Sequence, residues 1–160
     1  MPLFKMTNAS LAPIDRHWTE IEFTGAGDGT LDNVTDRHAL VVGNEVEIAE
    51  LPTNGLSAGA IILSFPKFAD GRAYSQAQML RQRRGYRGTL IARGDVLADQ
   101  VLFMRRCGFD VIELSHSDAT PEALTNFDHA LTAFSHFYQP AADDQPPIWL
   151  DRHRTRHKAA

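Results

Sequence analysis

Three short apolar runs, separated by two helix-patterned stretches, constrain this chain most. Residues 60–65 read AIILSF, residues 89–92 TLIA and residues 110–114 DVIEL. The first is nearly continuous in apolar residues, as expected of a strand covered on both faces. Between the runs lie YSQAQMLRQRR at 74–84 and VLADQVLFMRRC at 96–107, both rich in helix formers. Gly85 follows the first stretch and Gly108 the second, and each is followed by an aromatic, Tyr86 and Phe109. A glycine in the left-handed conformation ends a helix, and the next apolar side chain folds back on the last turn. Asp95 is placed to cap the second helix. Strands joined by such helices run parallel, with right-handed crossovers. Residues 60–115 are therefore expected to form a strand–helix–strand–helix–strand unit. The predicted class is α/β: a small, mostly parallel sheet of successive strand–helix units, either an open sheet or a partial TIM-like barrel.

The flanks are less regular. HALVVG at 38–43 reads as a short strand, NEVEIAEL at 44–51 as a strand or short helix, and 52–55 as a turn. Residues 120–138 read as a long amphipathic helix, with Leu124, Phe127, Leu131, Phe134 and Tyr138 three or four apart. Thr120 or Asp118 can cap it, and Pro121 suits its first turn. Residues 1–37 read as an irregular segment. The GAGDG run at 25–29 lacks the Lys-Ser/Thr of a phosphate loop and reads as a turn. Residues 139–160 read as a flexible tail. The expected organisation is an irregular segment 1–37, one α/β domain 38–138 and a tail 139–160.

Composition excludes several function classes. Hydrophobic residues make up 43%, enough for a core. The net charge of −4 is uneven: residues 66–110 carry nine Lys or Arg against four Asp, a local +5. A basic segment in an acidic chain suits a small anion or an acidic partner. Without aromatic–basic interleaving or a known motif, it does not argue for nucleic acid. No stretch approaches the ~20 apolar residues of a membrane helix, and no signal peptide is expected. The single cysteine, Cys107, fits a reducing, cytoplasmic setting. Its default role is a buried structural thiol. Seven histidines show no metal-ligand pattern: His129 and His136 are seven apart, and His153 and His157 lie in the tail. No metal site is expected, and no cofactor fingerprint is present.

Parallel topology places the loops after the strands on one sheet edge, where ligand sites of α/β folds lie. That nominates Lys67, Asp70, Arg72, Arg93, Asp95 and His116 as neighbours. The loop 65–76 is the densest in polar and aromatic groups. Arg72 can clamp an oxyanion, and the helix start around Tyr74, Ser75 and Gln76 favours an anion. The candidate ligand-binding set is Lys67, Asp70, Arg72, Ser75, Gln76, Arg93, Asp99 and Gln100. If there is catalysis, Asp70 or Asp95 is the candidate base and Tyr74 the candidate proton donor. The competing reading is a braced turn, with Asp70 paired to Arg72 and Tyr74 packed on the sheet. Arginines 81, 83, 84, 87, 105 and 106 mostly lie near helix C-termini, where cations complement the helix dipole.

Five linked segments carry a resemblance: FPKFADGRAYSQA at 65–77, LR at 80–81, GYRG at 85–88, GDVLADQ at 94–100 and RCGFD at 106–110. Together they resemble a bacterial domain-of-unknown-function family, number 934, often labelled an oxidoreductase of sulfite reduction. The resemblance spans roughly residues 41–134. It implies a place beside assimilatory sulfite reductase in making sulfide for cysteine synthesis. It implies either an accessory protein docking on the reductase or its electron donor, or a small enzyme binding an oxyanion at the strand-end loops. It supplies no mechanism.

Overall fold

The computed structural model describes residues 1–25, 31–134, 137, 139–142 and 147. The chain forms β1 (Leu3–Met6), β2 (Leu11–Ile14), β3 (Thr19–Phe23), β4 (His38–Val42), β5 (Ala60–Phe65), β6 (Thr89–Gly94) and β7 (Val111–Glu113). Helix α1 (Arg72–Gln78) runs on through a π-turn at Met79–Arg83, and α2 (Val101–Cys107) follows a 3-10 turn at Ala98–Gln100. Helix α3 is Pro121–Thr132. The sheet order is β2-β1-β7-β6-β5-β4-β3. Strands β3 to β7 are parallel, and β1 runs antiparallel to both β7 and β2. The parallel unit expected over 60–115 is present, in a mixed α/β fold.

Five parallel strands laid down in chain order, with right-handed crossovers, place every helix on the same face. That face holds the main core, where Leu63, Phe65 and Ile112 meet Ala77, Leu80, Met104, Phe127 and Leu131. The other face carries a smaller cluster of Ala39, Ala60, Ile62, Ile91 and Val111, with Trp18 packed on it.

The sheet is rolled. Strands β2 and β3 lie at opposite edges, yet only residues 15–18 join them. Five peptide steps reach about 19 Å at most, whereas six strand spacings in a flat sheet span about 29 Å. Only a curled sheet brings its edges within that reach. Arg93 on β6 accordingly bonds Glu20 on β3, three strands away (Nη1–Oε2 2.9 Å). The result is an unclosed, barrel-like sheet with helices outside and the strap 15–18 crossing its inner side.

Several expectations change. Three strands arise within 1–37, read as irregular, because strands of four or five residues show little alternation. Helix 120–138 is shorter: α3 ends at Thr132, and Phe134 is exposed rather than part of an apolar face. Tyr138, His136 and most of 139–160 lie outside the described residues, as do 26–30 of the GAGDG segment. Asp95 does not cap α2, whose N-cap is Gln100. Residues 44–51 contain a 3-10 turn at Ile48–Glu50. Thr120 caps α3, accepting from the Ala123 amide at 3.2 Å.

The glycine–aromatic echo is structural. Gly85 (φ 65°) and Gly108 (φ 105°) both end helical turns. The next amides, of Tyr86 and Phe109, bond back to Leu80 (2.9 Å) and Met104 (3.2 Å), and both rings are buried. Arg81 ties the two ends together. Its guanidinium donates to the carbonyls of Gly108 (2.9 Å), Tyr86 (2.8 Å) and Gly88 (2.9 Å) and to Asp110 (2.6 Å). Arg84 likewise donates to the carbonyls of Ile48 (2.9 Å) and Leu51 (2.5 Å). These two arginines are internal braces, beyond any dipole effect.

Candidate functional site

The strand-end edge is built from the loops after β4, β5, β6 and β7. Its first loop is held from two sides. Asp70 accepts from Arg72 Nε (3.0 Å), Arg72 Nη2 (2.7 Å) and the Arg72 amide (3.3 Å), and from Asn44 Nδ2 (2.6 Å). An acid just before a helix, bonded to its first amide, fills the place an external anion would take. The second loop grips the first at Phe68. The Phe68 amide donates to Asp95 Oδ2 (2.9 Å), and its carbonyl accepts from Gln100 Nε2 (3.0 Å). The Asp95 amide donates to the Phe65 carbonyl (2.8 Å). Gln76 is buried and donates to the carbonyls of Gly43 (2.8 Å) and Val46 (2.9 Å), so it holds the loop after β4.

Of the predicted set, Asp70, Arg72, Gln76, Asp95 and Gln100 therefore meet, as struts of one another's loops. Arg93 does not join them. Strand alternation turns it to the inner face, where Nε bonds Glu113 (2.8 Å) and the two terminal nitrogens bond Glu20 (2.9 and 2.5 Å). Those carboxylates hold its guanidinium charged far above neutrality. Lys67, Ser75 and Asp99 are exposed, and their side chains make no hydrogen bond among the described residues. His116 is also exposed. Among the described residues no group of three or more His, Cys, Asp or Glu is placed to hold a metal. Among them, no helix is long and apolar enough to cross a membrane.

The edge also offers apolar side chains outward. Phe68 and Phe103 are each 53% exposed and Leu97 39%. Leu97 and Phe103 lie three residues either side of Gln100, whose side chain holds the Phe68 carbonyl. Tyr74 backs the group, its ring 4.8 Å from Phe103, 5.1 Å from Phe65 and 6.4 Å from Phe109. The sequence does not single out Phe68, Leu97 or Phe103, because helical and loop patterning places such residues in cores. Asn44 was missed too. Its signal was the apolar run 38–43, a strand whose following loop shares the edge.

With this geometry in hand, comparison with known families is decisive on one point. The family described as "Bacterial protein of unknown function (DUF934)" matches residues 39–149. The chain belongs to this family. The match takes in β4 to α3 and all four strand-end loops, and leaves β1 to β3 outside. No curated protein and no solved structure matches the chain.

Two of the candidate acid–base groups of this DUF934 protein, Asp70 and Tyr74, are shifted away from neutrality. The Arg72 side chain beside Asp70 holds its carboxyl down at about 2. Burial pushes the Tyr74 phenol up to about 12. A general acid or base works best with a pKa near the operating pH, so neither side chain suits the task. Asp95 is occupied by the Phe68 amide.

Cys107 is buried at the end of α2, and burial pushes its thiol up to about 11, offset in part by Gln78 (Nε2–Sγ 3.5 Å). The thiolate is the reactive form. Raising the pKa from 9.0 to about 11 cuts its fraction near pH 8 roughly 100-fold. Thiol labelling of the native protein at pH 8 is expected to be at least that much slower than in urea. Equal rates would show an open thiol.

Proposed function

We propose that this protein is a non-catalytic accessory protein of assimilatory sulfite reduction, docking on the reductase or its electron donor through the strand-end edge. The observation that carries the docking reading is the division of labour there. The charged and amide side chains Asp70, Arg72, Gln76, Asp95 and Gln100 are spent on holding loops, while Phe68, Leu97 and Phe103 stay exposed on a braced frame. Aromatic anchors on a rigid support suit a protein interface. The sulfur pathway rests on the resemblance of the segments between 65 and 110 to their family. An oxyanion enzyme at the same loops is less well supported, since Asp70 fills the anion position at the start of α1.

The test is retention of the reductase and its electron donor on the tagged protein, against a Phe68→Ser/Phe103→Ser double variant. Loss of two interface anchors is expected to weaken retention by about 30-fold or more. Both side chains are exposed, so melting should change little. Unchanged retention by the double variant would sink the docking surface. No retention at low salt, with no cysteine or sulfide requirement on gene deletion, would sink the pathway as well.

A further inference from the structure

The opposite edge, where β6 and β7 begin, carries a second and chemically different feature. A cavity of about 340 Å³ opens there, lined by Lys5, Arg16, Trp18, Arg87, Thr89 and Asp110, with Ile14 and Val111 as an apolar wall. It lies between β1, the strap 15–18 and the first residues of β6 and β7. A second cavity of about 350 Å³ adjoins it and shares Lys5, Arg87 and Asp110.

The cations lining this cavity differ from three arginines elsewhere. Arg72, Arg81 and Arg93 each bond a carboxylate at 3.0 Å or less. Lys5, Arg16 and Arg87 bond none among the described residues, and Arg16 instead lies 4.9 Å over the Trp18 ring. The one acid in the wall, Asp110, is taken by Arg81 (2.6 Å) and by the Leu90 amide (2.8 Å). Thr89 lines the same space, and its hydroxyl has no hydrogen-bond partner among the described residues. Three like charges around one concavity repel, and a bound anion removes that repulsion. A cavity of this volume has room for about eleven waters at roughly 30 Å³ each, far more than a five-atom oxyanion fills. It falls instead at the small end of metabolite sites.

We propose that this cavity binds a small metabolite through a doubly charged oxyanion group. Lys5, Arg16 and Arg87 surround the charge, Thr89 donates a hydrogen bond, and Ile14 and Val111 meet the organic body. The site is independent of the docking edge. It draws Lys5, Ile14, Arg16 and Trp18 from the part of the chain outside the family match.

The experiment is calorimetric titration of the full chain at low salt with ribose 5-phosphate, inorganic phosphate and inorganic sulfate. Saturable binding of ribose 5-phosphate is expected, about tenfold tighter than either inorganic ion. Lys5→Ala and Arg87→Ala should each weaken it about tenfold, the loss of one charge-assisted contact. Arg83→Ala removes the same charge from an exposed turn and should leave binding unchanged. Lys5 and Arg87 are exposed, so far-UV dichroism should confirm folded variants. No saturation by any probe at about 20 mM, or equal weakening by Arg83→Ala, overturns the proposal. Inorganic phosphate binding as tightly as the ester overturns the organic body.

Discussion

Replacing Arg81 by alanine is expected to destabilise the fold by about 3 kcal/mol or more, read as a lower urea midpoint with unchanged slope. The side chain is 14% exposed and satisfies three carbonyls and one carboxylate at once. Removing it strands acceptors that folding has already taken from water, and each such loss costs about 1 kcal/mol or more. Asp110 would lose its cation while still holding the Leu90 amide at the start of β6. The two helix–strand units would lose their common brace. Arg81→Lys should recover only part of the stability, because one ammonium cannot reproduce a planar fork that meets four oxygens. A cost below about 1 kcal/mol for Arg81→Ala would show that the bonds are replaced by water.

Gly94→Ala should be comparably severe. Gly94 has φ 116°, a conformation L side chains rarely adopt. A β-carbon there would sit 2.2 Å from the Phe65 carbonyl oxygen and 3.0 Å from its carbon, both backbone atoms of the neighbouring strand. Nothing flexible is available to move aside. Steric conflict plus backbone strain is expected to cost about 3 kcal/mol. The Asp95-to-Phe65 bond would open with it, releasing Asp95 from the Phe68 amide. Hydrogen exchange at Phe68 should therefore rise more than exchange in β5. A stable variant with Phe68 still protected would refute this view of the junction.

How much of this was legible depended on the length and purity of each pattern. The unit 60–115 was readable because its apolar runs, helix formers and glycine stops agree. The first three strands were not, since LFKM, LAPI and TEIEF are too short to establish a period. The family match now shows the kinship read from residues 65–110. The loop edge was found by topology, but side-chain direction was not. A residue at the end of a strand can face either side of a sheet, and Arg93 faces inward to Glu20 and Glu113. Asp70 and Arg72 satisfy each other, as the braced-turn reading held. The cluster of Lys5, Arg16 and Arg87 was invisible, because distant segments meet only once the sheet is rolled.

The sheet order also sets an order of events during synthesis. Strand β1 pairs with β7, so Phe4 finds Ile112 only after about a hundred further residues have been made. At ~5–20 residues per second, the wait is roughly 5–20 s. Through that interval the β1–β2 hairpin has no third strand, and two strands alone are barely stable in water. Phe4 and Met6, buried in the finished protein, stay uncovered on the nascent chain. The hairpin is thus made long before the strand it docks on, and its apolar side chains are natural targets for a chaperone.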